Sequence, residues 1–176
     1  MHQPLLWYQT RTLLSAGADV LWVEYAYDSR PDWMAADDHV QREWLFEDVV
    51  AATRTAMKVR YERVVLVGKS LGTVALQHLL KKENFPRRTK AARLTPVLDD
   101  PALRRRLEES VLPSCVVIGS NDHYYDEVFL ARLRNKKSME LEVIEGADHL
   151  LETDEGTLAS IDIAKRVTKS FEHFSE

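Results

Sequence analysis

Residues 64–72 read VVLVGKSLG, and this stretch decides the fold. Its first four residues are apolar and mostly β-branched, which predicts a buried strand. Helical spacing of apolar residues follows from Gly72 to residue 80, so that a strand, a sharp turn and a helix meet at Ser70. The five residues Gly68-Lys69-Ser70-Leu71-Gly72 fit the pattern G-x-S-x-G in the context where such a turn presents the serine hydroxyl outward. Ser70 is therefore the candidate nucleophile.

Two glycines and one backbone amide support this interpretation of the turn. Gly68 and Gly72 are expected to remove side chains that would collide where strand and helix pack, so that the serine adopts a strained backbone conformation. The amide of Leu71 opens the helix, where unpaired N–H groups favour a developing oxyanion. A phosphate-binding loop is disfavoured, because its pattern needs a glycine at the position of Arg63 and a flexible loop where the chain is strand-like.

Short apolar runs alternate with segments of helical period on both sides of this stretch. This alternation predicts an α/β fold with a mostly parallel sheet and helices on both faces, in a single domain of 176 residues. The strands are predicted at residues 19–25, 64–67, 93–95, 115–119 and 141–144. The helices are predicted at residues 4–16, 38–61, 72–80, 102–109, 127–134 and 157–174.

Composition excludes several classes of protein. The net charge of -4, from 24 basic and 28 acidic residues, gives no reason to expect a nucleic-acid partner. No apolar run is long enough for a membrane helix and the N-terminus lacks a signal-peptide pattern, so we expect a cytoplasmic protein. The single cysteine, Cys115, lies in an apolar run and is expected to be a buried thiol. No metal-ligand spacing stands out among His, Cys and carboxylate positions, so no metal is expected.

A serine nucleophile needs a base and an acid that orients the base. Asp122 and His149 come directly after the last two predicted strands, at the sheet edge where α/β proteins collect functional groups. We therefore expect His149 to be the base and Asp122 the acid. Asp126, one helical turn onward, and Asp148, next to the base, are the alternative acids. His123 is expected to point away from this site.

The three motifs in this order resemble the α/β-hydrolase family. Residues 68–72 are similar to its nucleophile elbow, residues 119–122 to its acid loop and residues 146–149 to its histidine loop. The resemblance implies a small serine hydrolase that cleaves a carboxylic ester or thioester of a small-molecule acyl substrate through an acyl-enzyme, with no cofactor. Residues 96–113 are too few for a cap domain. The alternative is a non-catalytic protein of the same fold that serves in binding or assembly.

The sequence departs from the family at its N-terminus. Two strands precede the elbow strand in that family, whereas only residues 19–25 are strand-like here and correspond to the later one. The missing strand would lie beside the elbow strand and end in a loop that supplies a second oxyanion amide. Three resolutions are open: the gene product starts upstream, which we favour, or the two flanking strands pair directly, or a second chain fills the gap. Residues 1–3 are a further possible source of the amide.

Overall fold

The computed structural model describes residues 4–176, which form one parallel sheet flanked by helices. Within these residues the sheet has four strands in the order β1-β2-β3-β4. The strands are β1 (Arg63–Ser70), β2 (Arg88–Pro96), β3 (Ser114–Gly119) and β4 (Met139–Ile144). The helices are α1 (Pro4–Ser15), α2 (Pro31–Ala35), α3 (Asp38–Ala56), α4 (Leu71–Lys82), α5 (Pro101–Glu109), α6 (Glu127–Arg134) and α7 (Thr157–Ser175), with a 3-10 turn at Tyr27–Ser29. The predicted fold class is confirmed.

Helices cover both faces of the sheet. Helices α4, α5 and α6 connect successive parallel strands, so crossovers of one hand place all three on the same face. Helices α1 and α7 cover the other face. Strand β3 shows the result: Cys115 and Val117 pack towards α1 and α7, whereas Val116 and Ile118 pack towards α5 and α6. All of β3 is buried, as expected for a strand between two helical layers.

The predicted strand at residues 19–25 is wrong, because this segment is not part of the sheet. A cleft of about 1200 Å³ is lined both by residues 18–25 and by β1, and the two segments do not pair with each other. An apolar run becomes a strand only where a neighbour accepts and donates its backbone hydrogen bonds. Direct pairing of the flanking strands is therefore not how this chain closes the gap. The Tyr61 hydroxyl donates to Asp19 at 3.0 Å and links the two sides of the cleft near the start of β1.

The largest further differences from prediction are two element bounds and one additional helix. Helix α3 ends at Ala56, whereas the predicted helix continues to residue 61. The prediction is too long because no glycine or proline in the sequence marks the end of the helix. Strand β2 starts five residues early at Arg88, where polar residues pair with β1. Helix α2 forms in a predicted loop, with Pro31 in its first turn. None of the helices in residues 4–176 is long and apolar enough to cross a membrane.

Arg93 in β2 is the largest of the fully buried side chains in the described chain. Its Nη1 donates to Ser114 Oγ at 3.2 Å, while Nε and Nη2 have no hydrogen-bond partner among residues 4–176. Burial, reinforced by the positive charge of Arg106, lowers the pKa of the Arg93 guanidinium to about 10. In the sequence Arg93 ends a local basic run, which predicts a solvated face: Lys81, Lys82, Arg87, Arg88, Lys90 and Arg93. Its burial is therefore a correction of this expectation. A buried charge with one neutral partner is unfavourable for folding.

We expect Arg93→Met to raise the free energy of unfolding by about 1–4 kcal/mol, because it replaces the buried cation by an apolar side chain of similar length. The control Arg88→Met, at the exposed start of the same strand, should change stability by less than about 0.5 kcal/mol. Urea unfolding of the three proteins measures both values. A destabilised Arg93→Met protein would show that the guanidinium is stabilised in solution by a polar partner.

Candidate active site

The turn between β1 and α4 holds Ser70 in a strained conformation. Ser70 is the last residue of β1 and directly precedes Leu71, the first residue of α4, with φ 50° and ψ -122°. A positive φ is unfavourable for a residue with a side chain and must be held by its surroundings. The Thr73 hydroxyl, which is fully buried, donates to the Ser70 carbonyl at 2.7 Å and accepts from the Val97 N–H at 3.3 Å. Thr73 thus ties the turn to the end of β2, a role that sequence reasoning missed.

The two glycines of the turn differ in the space around them. A Cβ built on Gly68 would lie 2.6 Å from the carbonyl oxygen of Gly72, so that β1 and the start of α4 approach each other at backbone distance. A Cβ built on Gly72 meets nothing within 4 Å. The expectation that both glycines prevent a collision therefore holds for Gly68 and is wrong for Gly72.

This difference predicts opposite effects for two alanine substitutions. Gly68→Ala should destabilise the fold by about 1–3 kcal/mol, because backbone must move to admit the methyl group. Gly72→Ala should be neutral or stabilise by up to about 1 kcal/mol, since it removes a glycine from the first turn of a helix. Thermal and urea unfolding measure both effects. Equal destabilisation by the two substitutions would contradict the close approach at Gly68.

The side chains of Ser70, His149 and Asp122 form one chain of hydrogen bonds at the carboxyl edge of the sheet. His149 Nε2 lies 2.8 Å from Ser70 Oγ, and His149 Nδ1 lies 2.8 Å from Asp122 Oδ2. The Asp122 side chain is fully buried, and its other oxygen accepts from the Tyr124 N–H at 2.9 Å. The His149 side chain is 20% exposed and so remains accessible from solvent. The structure brings together the three residues that the sequence selects.

Backbone contacts lock the loop after β3 against the loop after β4. A Cβ on Gly119 would lie 2.0 Å from the carbonyl oxygen of Ala147, so only glycine permits this packing. The same carbonyl accepts from the Asn121 N–H at 2.9 Å, and the Gly146 N–H donates to Ser120 Oγ at 2.8 Å. These contacts fix the spacing between the loops that carry Asp122 and His149.

Each of the two alternative acids has a structural role. Asp126 precedes α6 and accepts from the Phe129 N–H at 2.9 Å and from Arg104 at 2.7 Å. These two hydrogen bonds hold the pKa of the Asp126 carboxyl below its usual value. Asp148 accepts from two backbone N–H groups of its own turn, at 2.8 and 3.0 Å. The geometry therefore favours Asp122 as the partner of His149.

His123 lies nearer to the site than the sequence suggests. Its ring is 4.9 Å from the ring of His149, and its Nδ1 is 3.7 Å from Asp122 Oδ1, although the side chain is 64% exposed. Ligand atoms of Asp122, His123 and His149 lie within 4.8 Å of one another and resemble a metal-binding set. Asp122 and His149 already share a hydrogen bond, and the other His149 nitrogen faces Ser70. This arrangement favours a proton-transfer role over metal ligation.

Lys69 is a second residue that sequence reasoning missed. Its side chain is only 8% exposed, and its Nζ donates to the His149 carbonyl at 3.3 Å. Burial lowers the pKa of the Lys69 ammonium, while the nearby carboxylates of Asp122 and Asp148 oppose this shift. Lys69 therefore connects the turn that carries Ser70 to the loop that carries His149. The feature of the sequence that could have indicated the burial of Lys69 is its position inside an apolar strand–turn–helix segment.

The surroundings of Ser70 include a candidate anion site and the cleft. The Leu71 N–H belongs to the first turn of α4, where amides have no intrahelical acceptor. The suggested second amide from residues 1–3 lies outside the described residues. Ser70, Leu71 and Trp33 line the cleft beside β1, and the Trp33 ring stacks on Tyr27 at 3.8 Å. The sequence places Trp33 and Met34 after an apolar run, where they could line an acyl site, but Met34 is 70% exposed.

The sequence matches no protein-family model and no protein of curated function. Solved structures do match. A protein of the alpha/beta hydrolase superfamily from Xanthomonas campestris pv. campestris is 18% identical, with a TM-score of 0.63 over 97% of this chain and 88% of that one. The esterase domain of a Rhodothermus marinus protein is 18% identical, with a TM-score of 0.65 over 98% and 79% of the two chains. An alpha-beta serine hydrolase homologue from Coxiella burnetii is 15% identical, with a TM-score of 0.63 over 97% and 77%.

These comparisons establish the class of fold. The chain has the α/β-hydrolase fold, as its three motifs suggest. At identities of 18% or less the likeness concerns the fold alone, and the chemistry must be argued from the site.

Proposed function

We propose that this protein is a serine hydrolase that cleaves a carboxylic ester or thioester of a small-molecule acyl substrate through an acyl-enzyme. The observation that supports the proposal is the continuous hydrogen-bonded chain from Ser70 Oγ through His149 to Asp122. A hydroxyl is a poor nucleophile until a base removes its proton, and the base needs an acceptor for its second N–H. The arrangement of these three groups meets both requirements.

The first half of the reaction transfers the acyl group to the serine. Ser70 Oγ attacks the substrate carbonyl carbon while His149 Nε2 takes the hydroxyl proton, and the carbonyl oxygen becomes an oxyanion. The Leu71 N–H donates to this oxyanion, supported by the positive end of the α4 dipole. Asp122 accepts from His149 Nδ1 and stabilises the imidazolium. The bond to the leaving group then breaks, and the leaving alcohol or thiol takes the proton from Nε2.

The second half releases the acid and restores the enzyme. A water molecule gives a proton to His149 Nε2 and attacks the acyl carbon, and the bond to Ser70 Oγ then breaks with return of the proton. The proton count balances without a metal or redox cofactor. The cleft beside Ser70 offers apolar surface, including Trp33, to the acyl part of the substrate.

We expect a fluorophosphonate probe to label the protein at Ser70. Ser70→Ala should abolish labelling and lower the hydrolysis of a p-nitrophenyl ester about 10⁴-fold or more, because the triad acts as a unit. The control Ser138→Ala, directly before β4 at the opposite edge of the sheet, should behave like the wild-type protein. Mass spectrometry of the labelled peptide and initial rates measure the two effects.

Failure of both assays has a defined meaning. If the wild-type protein takes no probe and hydrolyses no ester, the alternative of a non-catalytic binding protein replaces the proposal. If hydrolysis persists in Ser70→Ala, another nucleophile carries out the reaction.

The assignment of the acid is tested by a matched pair of carboxylates. Asp122→Asn should lower kcat about 10⁴-fold, because the amide favours the wrong tautomer of His149 while leaving the shape of the site unchanged. Asp126→Asn should retain activity, since asparagine also caps a helix and only the ion pair with Arg104 is lost. Steady-state kinetics on the ester measure both. A larger loss in Asp126→Asn would assign the acid role to that residue instead.

A further inference from the structure

Lys69 reaches the candidate site from the sheet face that α1 and α7 cover. Side chains alternate along a strand, so Lys69 lies on the same face of β1 as Val65 and Val67, which pack against the same core cluster as α7. At the carboxyl end of β1 this face meets the loop that leads from β4 into α7. Lys69 is 8% exposed, and its Nζ donates to the His149 carbonyl at 3.3 Å. A lysine is rarely buried to this extent without a partner of opposite charge.

The buried carboxylate of the site is the charge that matches Lys69. The His149 carbonyl carries no net charge and cannot balance a buried ammonium. The carboxylates that act on the Lys69 ammonium are those of Asp122 and Asp148. Asp148 lies at the exposed surface of its loop, where water screens its charge. The Asp122 side chain is fully buried, and neither the Tyr124 N–H nor an unprotonated His149 balances its charge. Asp122 is therefore the buried anion that corresponds to the buried cation Lys69.

The other basic side chains near Asp122 do not replace Lys69. Within residues 4–176 the ion pairs of Asp122 have histidine partners alone. His123 Nδ1 lies 3.7 Å from Asp122 Oδ1, but its side chain is 64% exposed. Lys69 forms no direct ion pair with Asp122 in the described chain, so it acts from a greater distance, and burial leaves the attraction between the two groups weakly screened. A buried cation and a buried anion stabilise each other, whereas either one alone is strongly unfavourable.

We propose that Lys69 is a positioning residue that supplies the countercharge for the Asp122 carboxylate and holds the loop that carries His149. The inference rests on the proposed hydrolysis, because it concerns the same site. The positive charge of Lys69 favours the ionised form of Asp122 and disfavours the imidazolium form of His149. The first effect preserves the acceptor that fixes the tautomer of His149. The second effect keeps His149 Nε2 unprotonated before substrate binds, so that it can take the proton of Ser70.

Two other roles for Lys69 fit less well. A lysine that itself activates Ser70 would direct its Nζ to the serine hydroxyl. Instead Nζ bonds to the His149 carbonyl, and the hydroxyl already bonds to His149 Nε2. A purely packing role would not require a charge, since methionine fills a similar volume without burying an ammonium. Countercharge and packing can be separated by experiment, because only the countercharge depends on Asp122.

A double-mutant cycle between Lys69 and Asp122 tests the countercharge by thermal unfolding. Lys69→Met should lower the melting temperature in the wild-type background, because it leaves the Asp122 carboxylate buried alone. The same substitution should raise the melting temperature in the Asp122→Asn background, because the ammonium there has no countercharge. The two shifts should differ by about 3 °C or more. Equal shifts in the two backgrounds would overturn the proposal in favour of packing.

Two further variants complete the cycle. Lys69→Gln keeps a donor for the His149 carbonyl but removes the charge, so it should behave like Lys69→Met. The control Lys90→Met removes a lysine near the amino end of β2, whose Nζ likewise donates to a backbone carbonyl, that of Phe174, and its shift should be equal in both backgrounds. Folding of the Lys69 variants only in the Asp122→Asn background would support the countercharge. Failure of both Lys69 variants to fold in either background would overturn it.

The pH dependence of ester hydrolysis gives a readout that a packing role would not move. Hydrolysis needs His149 unprotonated, and removal of a nearby positive charge favours the imidazolium. The acid limb of kcat/KM should therefore move to higher pH by about one unit in Lys69→Met and should not move in Lys90→Met. The other titratable groups that face His149 are the same in both variants: Asp122, His123 and Tyr124 after β3, and Asp148 in its own loop.

The outcomes separate this inference from the proposed hydrolysis. A loss of rate by the same factor at every pH would overturn the effect of Lys69 on His149 and leave the triad in place. If the wild-type protein hydrolyses no ester, the proposed function fails. The thermal cycle needs no turnover and still decides whether Lys69 balances Asp122.

Discussion

Two backbone-to-backbone contacts determine where the candidate catalytic groups lie. At Gly68 the end of β1 touches the start of α4, and at Gly119 the end of β3 touches the loop that follows β4. Each contact is closer than any residue with a Cβ would allow. The first aims Ser70 out of the sheet, and the second sets the distance between the acid and histidine loops. Hydrogen bonds of 2.8 Å between three separate loops depend on these fixed separations.

The contacts that position the candidate site all lie on the β2 side of β1. The site can therefore form although the cleft lies on the other side of β1. Asp122 and His149 follow β3 and β4, which pair with each other, and the strained turn is held by Thr73 and by β2. Lys69 adds a link from the turn to the histidine loop. None of these contacts uses residues 18–25. The geometry of the three side chains can therefore form while the other edge of β1 remains open.

Sequence alone predicts the part of this structure that is encoded in local patterns. The alternation of apolar runs with segments of helical period predicts a parallel sheet, and the order of the three motifs selects Ser70, Asp122 and His149, which the structure brings together. The wrong strand at residues 19–25 has a physical cause, since an apolar run cannot reveal whether a neighbouring strand is present to pair with it. The burial of Arg93 escapes prediction for a similar reason: whether a side chain is buried depends on what packs over it.

The open edge also bears on the energetics of the turn. A residue with a positive φ stores about 1–3 kcal/mol of strain, which persists only where the surroundings over-determine its conformation. Ser70 obtains this support from α4 and from β2, while the cleft side contributes nothing within the described residues.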